Sequence, residues 1–337
     1  MKRVSVIDVA REAGVAPGSV SRALNGEKHV SAELRSRVNQ AAQRLGYRPH
    51  AYAQGLRLGR SNTIGMLVSD MRHPMYAGVV AAVERELTQH GRMLLLADAQ
   101  GEVTRERSIL DTFQRGTLDG AIISASYDPI AASPAHYEGN RLPLVLIDRE
   151  VEGIDRVCLE RRNGMRTTVR HLLALGHRRI ALFTPALDHV PGGERIAGYA
   201  DAFRQAGLAS HKRYIPRLTS PLQDGAEPLL KLLDLPDPPT ALVCLGTRLL
   251  SGALRALRQR GLRVPEDFSV IATGAPEMLE LAHPPLSCLR MDLVGAGRAA
   301  AQLLLRRLDA PNSPIERVEL ETELIVRDSC GPVPAQT

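Results

Sequence analysis

From Ser61 onward the chain alternates short aliphatic runs with longer amphipathic stretches, and this alternation limits its fold more than any other feature. Thr63–Val68, Met93–Ala97, Gly120–Ser124, Leu144–Ile147, Ile180–Thr184, Ala241–Cys244 and Ser269–Ile271 read as strands. Between them, Ala77–His90, Asn163–Leu175, Ile196–Gln205 and Leu249–Arg260 read as helices. Several stop at or near a glycine (Gly91, Gly176, Gly207, Gly261) that can take the left-handed conformation ending a helix. Strand–helix alternation builds parallel sheets covered on both faces. The stretch 62–329 is long enough for two doubly wound lobes. Ligands of such sheets lie beyond the carboxyl ends of the strands, so a cleft between lobes is the expected binding place.

The first sixty residues differ in kind. They carry eleven Lys and Arg against four acids (Asp8, Glu12, Glu27, Glu33), a local charge of +7 in a chain whose total is +6. A basic module on a near-neutral body points to a polyanion, because clustered cations gain affinity by releasing counterions from phosphates. A solvated basic face with no partner is the alternative.

Other classes find no support. No apolar run approaches 18 residues, so no membrane span is expected, and Met1-Lys2-Arg3 is not followed by the apolar core of a leader. Cys158, Cys244, Cys288 and Cys330 are widely spaced, which argues against zinc and fits reduced thiols in a cytoplasmic protein. There is no GxGxxG after a strand, no phosphate loop, no GxSxG elbow and no HExxH helix. The ten histidines, among them His73, His171, His177 and His189, show no metal-ligand spacing. No enzyme activity, catalytic residue, metal or cofactor is expected.

Within the basic module, Ser5 can cap a short helix through Ala13, with Asp8 completing a reciprocal cap, and Gly14 can end it. Pro17 suits the first position of a second helix running to Leu24. Two short helices joined by a Gly-containing turn form a helix-turn-helix. Ser31 caps a third helix whose stripe Leu34, Val38, Ala41, Ala42 and Leu45 can pack on Val9, Val15, Val20 and Leu24, with Gly46 as its stop.

The stretch IDVAREAGVAPGSVSRALNG, followed by HVSAELRSRVNQAAQRLGYRPHAYAQGLRLGRSNTIGML, closely resembles the N-terminal domain of the lactose-repressor (LacI/GalR) family. The resemblance continues more weakly to about residue 328. It implies an all-α helix-turn-helix headpiece (1–48), a hinge (49–61), a periplasmic-binding-protein-like core of two doubly wound parallel-sheet lobes (62–329) with chain crossings near 160, 290 and 322, and a tail (330–337). It also implies a repressor that binds a pseudo-palindromic double-stranded operator as a homodimer. The short GPVPAQT terminus lacks the heptads of a coiled-coil tetramer. By resemblance, DNA contacts fall on Ser5, Pro17, Gly18, Ser19, Ser21, Arg22, Asn25, His29 and Tyr47, and on His50, Ala53 and Leu56 of the hinge, where Leu56 wedges between base steps. Pro17 and Gly18 occupy the family's specificity positions without a hydrogen-bonding side chain. That leaves Arg22 as the candidate for a bidentate guanine contact.

The same resemblance places effector contacts on Asp70, Met75 and Tyr76 after the first core strand, and on His189, Arg195, Gly246 and Gly274. Gly192 and Gly193 are expected to precede the helix bearing Arg195 and to offer backbone N–H groups. Gly246-Thr247 stands where relatives carry Asn-Asp, and Gly274-Ala275 where they carry Asp-Asp. Arg149, Glu160-Arg161 and Arg248 add cations near the same strand ends. Fewer acids and more arginines favour an anionic effector such as a sugar acid, organic acid or phosphosugar. The alternatives are a regulator responding to a neutral sugar and an effector-independent architectural protein that bends its site. A cytosolic solute-binding module is disfavoured by the basic headpiece.

Overall fold

The computed structural model describes residues 4–24, 29–47, 61–73, 75–115, 118–124, 137, 141–149, 151–184, 190–218, 223–274 and 276–333. It divides into two units, Met1–Asn62 and Thr63–Thr337. Among the described residues no helix is long and apolar enough to cross a membrane.

Among its described residues the first unit has three helices: α1 (Val6–Ala13), α2 (Pro17–Leu24) and α3 (Ala32–Arg44). Ser5 caps α1 with the expected reciprocal arrangement. Its hydroxyl donates to Asp8 Oδ2 at 2.7 Å, and Asp8 N–H donates back to Ser5 Oγ at 3.4 Å. Gly14 ends α1 at φ 63°, a left-handed value a side chain resists. Ala16 supplies the carbonyl for the first bonds of α2, from Ser19 and Val20 N–H. Ser31 caps α3 by accepting from Leu34 N–H at 3.2 Å. Val9, Ala10, Ala13, Val20, Ala23, Val38, Ala41 and Ala42 are buried together, with Val15, Leu24, Leu34, Leu45 and Tyr47 packed around them.

The second unit holds two sheets. The first has order β10-β5-β4-β3-β1-β2 and is wholly parallel. Its strands are β1 (Thr63–Val68), β2 (Met93–Asp98), β3 (Gly120–Ser124), β4 (Leu144–Ile147), β5 (Asp155–Leu159) and β10 (Arg317–Leu320). Helices α4 (Met75–Gln89) and α5 (Val103–Arg115) follow β1 and β2. The second sheet has order β11-β9-β8-β7-β6, with β11 (Thr322–Ile325) antiparallel to β9 (Ser287–Met291). Its other strands, β6 (Ile180–Phe183), β7 (Ala241–Leu245) and β8 (Ser269–Thr273), are parallel. Its helices are α6 (Arg162–Ala174), α7 (Val190–Gln205), α8 (Ala226–Leu233), α9 (Thr247–Gln259) and α10 (Pro276–Glu280). Helix α11 (Leu293–Asp309) leaves the second sheet and packs on the first, beside α4.

The chain passes between sheets after β5, after β9 and between β10 and β11. The crossings are tied together. Glu160 N–H donates to Leu320 O at 2.8 Å, and Thr322 Oγ1 donates to Glu160 O at 2.9 Å. Four strands (β5, β9, β10, β11) lie where the sequence pattern showed none. Exposed positions explain part of this. In β10 and β11 burial only alternates or fades, so neither carries a continuous apolar run. Helix α7 also corrects an expectation: it starts at Val190, so Gly192 and Gly193 lie inside its first turn rather than before it.

Candidate nucleic-acid interface and ligand cleft

On α2, Pro17, Gly18 and Arg22 are exposed, and Ser19 and Ser21 half-buried. Gly18 is not forced by the fold: a Cβ added there meets nothing within 4 Å. The Arg22 side chain lies back along its helix, with Nε donating to Gly18 O and a terminal nitrogen to Ser19 Oγ, both at 3.4 Å. These contacts are long and exposed, so exchanging them for base edges costs little. His29 is exposed. Tyr47 packs against the three-helix core, and Ser5 commits its hydroxyl to the cap of α1. Asn25, His50, Ala53 and Leu56 lie outside the described residues.

In the second unit, the expected ligand residues fall at the carboxyl ends of strands. Asp70 and Tyr76 follow β1, Arg149 follows β4, Arg161 follows β5, Arg195 sits on the helix after β6, Gly246 follows β7 and Gly274 follows β8. Met75 opens α4, and His189 lies outside the described residues. The chemistry of several differs from a bare wall of arginines. Asp70 is spent on Arg72, which donates from Nε at 2.9 Å, from a terminal nitrogen at 2.7 Å and from its backbone N–H at 2.9 Å. Those bonds, opposed by partial burial, hold the Asp70 carboxyl below its usual range. Tyr76 belongs to the core of the first sheet. Its hydroxyl is 2.5 Å from Ser69 Oγ and accepts from Ser124 Oγ at 3.1 Å, and burial pushes it above the usual phenol value.

Arg161 is buried, and one terminal nitrogen is ion-paired with Asp148, whose backbone holds a left-handed φ of 62°. The other terminal nitrogen donates to Leu159 O at 3.0 Å, while Asp148 Oδ1 accepts from Leu159 N–H at 3.3 Å. Arg161 is thus a neutralised cation, which sequence spacing alone did not reveal. Glu160 caps α6 by accepting from Asn163 and Gly164 N–H. Arg149 is half-buried and Arg248 exposed. Gly246 is buried with φ 152°, a value a side chain rarely adopts, whereas Gly274 is exposed with room for a Cβ.

Arg195 is half-buried and donates to Thr184 Oγ1, at the end of β6, at 3.2 Å. His73, in the loop after β1, feels the Arg195 charge. Burial first, then Arg195, holds the His73 imidazole below its ordinary value, with Asp70 acting in the opposite direction. The sequence pattern set His73 aside as a lone histidine. Its place three residues before Tyr76, in the loop already singled out, was the available signal.

Two family descriptions match the chain: bacterial regulatory proteins, lacI family, over residues 5–50, and periplasmic binding protein-like domain over 169–330. The HTH-type transcriptional repressor CytR of Escherichia coli (strain K12) is 29% identical over 330 residues, spanning 97% of this chain and 96% of that protein. The structure of a transcriptional regulator CelR–cellobiose complex is 30% identical with a TM-score of 0.72, over 97% of this chain and 100% of that one. The Lac repressor dimer bound to operator and the anti-inducer ONPF is 27% identical with a TM-score of 0.86, over 97% and 99%.

A helix-turn-helix unit joined to a two-sheet ligand-binding core defines a DNA-binding transcriptional repressor with an effector domain; its relatives are repressors, not enzymes. The chain belongs to the LacI family of bacterial regulatory proteins.

Proposed function

We propose a cytoplasmic repressor that binds a pseudo-palindromic operator as a homodimer, with a headpiece over 1–48, a hinge over 49–61 and a core over 62–329, controlled by an anionic metabolite. On DNA, Arg22 swings from Gly18 and Ser19 onto a guanine, Ser19, Ser21 and Asn25 position phosphates, and Leu56 wedges the minor groove. Pro17 and Gly18 leave their facing bases less sharply read.

The dimer is supported by exposed apolar side chains on the second unit. Met93 and Leu95 lie on the edge strand β2, and Met278 and Leu281 are 68% and 74% exposed on α10 and the turn after it. The anionic effector is carried by one observation: half-buried Arg195 brings a positive charge to the end of β6, while Gly246 and Gly274, at the ends of β7 and β8, supply no side-chain oxygen. Because Asp148 already neutralises Arg161, the positive charge rests on Arg195, with Arg149 at the end of β4. The ligand acts by favouring one lobe arrangement over another, which requires different affinities for the two.

The neutral-sugar reading draws support from the CelR–cellobiose complex, in which a related core holds an uncharged sugar. A dye-monitored thermal shift of the full chain against neutral sugars, sugar acids, phosphosugars and purines separates the two. Stabilisation by acids or phosphosugars that disappears in Arg195→Ala supports the anionic effector. Stabilisation by neutral sugars alone overturns it. Operator binding indifferent to every compound returns the architectural alternative.

A further inference from the structure

Helices α4 and α11 lie side by side and run in the same direction: Gly78 neighbours Leu293, Ala82 neighbours Gly297, and Glu86 is bonded to Gln302. Helix α4 leads into β2, a strand of the parallel sheet, so both helices run against the strands and end together at the strands' amino ends, opposite the expected ligand cleft. An open cavity of about 440 Å³ lies there, a volume within the roughly 300–1,000 Å³ of small-molecule sites. It is lined by Glu86 and His90 at the end of α4, Arg92 just before β2, and Gln302, Arg306 and Asp309 in the last turns of α11. Two aligned helices thus turn their partial negative ends toward one place.

The side chains add to this. Arg92 is nine-tenths buried and gives one terminal nitrogen to Asp119 Oδ2 at 2.7 Å. Among the described residues its Nε and other terminal nitrogen have no partner, yet neither is sealed from solvent, so both open onto the cavity that Arg92 lines. Arg306 is forked onto Glu316, at 3.2 and 2.9 Å. Each arginine is therefore matched by an acid of its own. The two acids of the lining are not matched by a cation: the Glu86 carboxylate accepts from Gln302 Nε2 at 3.1 Å, and Asp309 has no side-chain partner among the described residues. His90 spends Nδ1 on the Glu86 carbonyl at 2.9 Å. Two unmatched carboxylates beside a guanidinium with idle donors suit a ligand with two cationic groups and one carboxylate. We propose that this cavity is a second ligand site for a small dibasic amino acid, with Arg92 holding the carboxylate and Glu86 and Asp309 the two cationic groups. The site does not depend on the effector reading above.

Calorimetry on the full chain with lysine, ornithine and arginine tests this. The expected result is saturable binding of one molecule per chain for at least one of the three. Putrescine, which lacks the carboxylate, and norleucine, which lacks the second cation, are expected to bind about tenfold more weakly or less. Glu86→Gln and Asp309→Asn are each expected to weaken the amino acid about tenfold. Arg92→Lys keeps a charge facing Asp119 and is expected to weaken the amino acid but not putrescine. Should that variant fail to fold, the two acid variants, on the helix surface, still decide. Unaltered binding in Arg195→Ala is expected, because the cavity and the cleft lie at opposite ends of the strands. Failure of all three amino acids to bind overturns the proposal, as does binding that is lost in Arg195→Ala or that ignores both Glu86→Gln and Asp309→Asn. Putrescine binding as tightly as the amino acid overturns the role of Arg92 and the assignment to an amino acid with it.

Discussion

Two glycines show how one missing side chain serves opposite ends. Gly198 on α7 lies against α6, and a Cβ there would sit 2.1 Å from Arg162 O and 3.0 Å from Met165 Cβ. Backbone cannot move aside as a flexible side chain can, so Gly198→Ala is expected to cost roughly 1–3 kcal/mol or more, read as a lowered urea midpoint. Gly18 is the reverse case. With open space around it, Gly18→Ala should raise the headpiece's stability by up to about 1 kcal/mol, seen as a higher melting temperature by circular dichroism. A drop instead would mean that the backbone of α2 relies on glycine in a way the open space does not reveal. Arg22→Ala leaves both structures alone. Losing about 1–3 kcal/mol of operator affinity, with relaxed choice at one base pair in a selection experiment, is the outcome expected of a guanine reader.

At the scale of elements, the segment Arg327–Val333 straps the second sheet. Ser329 accepts from Ser287 N–H at 2.8 Å and donates to Val270 O at 2.6 Å, and Val333 N–H donates to Leu175 O at 3.0 Å. His177, wholly buried, joins the strap to the sheet: Nε2 is 3.1 Å from Gly331 O and 3.0 Å from Ser269 Oγ, and Nδ1 is 2.8 Å from Thr240 Oγ1. Gly331 O can only accept, so Nε2 carries the proton and Nδ1 takes the Thr240 hydroxyl, which is the neutral imidazole. Burial lowers the His177 titration point, with Arg178 and His171 adding to it and the Gly331 carbonyl opposing. A histidine whose folded value is lowered stabilises the fold above about 6.5, and that contribution is lost as pH falls below it. The urea midpoint should therefore drop between pH 7.5 and 5.5, and less so in His177→Asn. Part of the slope will remain, because His73 and His171 are shifted in the same direction by burial. An unchanged slope in the variant would show that His177 does not titrate with unfolding.

For the whole molecule, the proposed dimer is tested at the exposed apolar side chains. Met278 and Leu281 offer no benefit to a monomer, since each leaves apolar area in water. Replacing Leu281 with Glu is expected to shift sedimentation from dimer toward monomer at micromolar concentration and to weaken operator binding at least tenfold, because half-sites are then bound singly. A variant that sediments as a dimer and binds normally would move the interface elsewhere. The mass of the wild-type chain in the same run sets the reference.

What sequence alone determined about this protein is local chemistry and periodicity. Ser5 with Asp8, Gly14, Pro17 and Ser31 announce the three helices because caps and stops act within a few residues. The seven expected strands are all present: six are buried almost throughout and read as continuous apolar runs, and β2 is such a run too although Met93 and Leu95 face solvent. Half-exposed strands such as β10 and β11 carry no such signature, and α11 depends on its packing against α4. Charge pairing was equally out of reach. Asp148 and Arg161 are separated by a turn and a strand, and only parallel pairing of β4 with β5 sets them side by side. Local sequence specifies which side chains are present and which element each rides on; long-range packing specifies which charges meet, because Coulomb energy depends on distance in space and not along the chain.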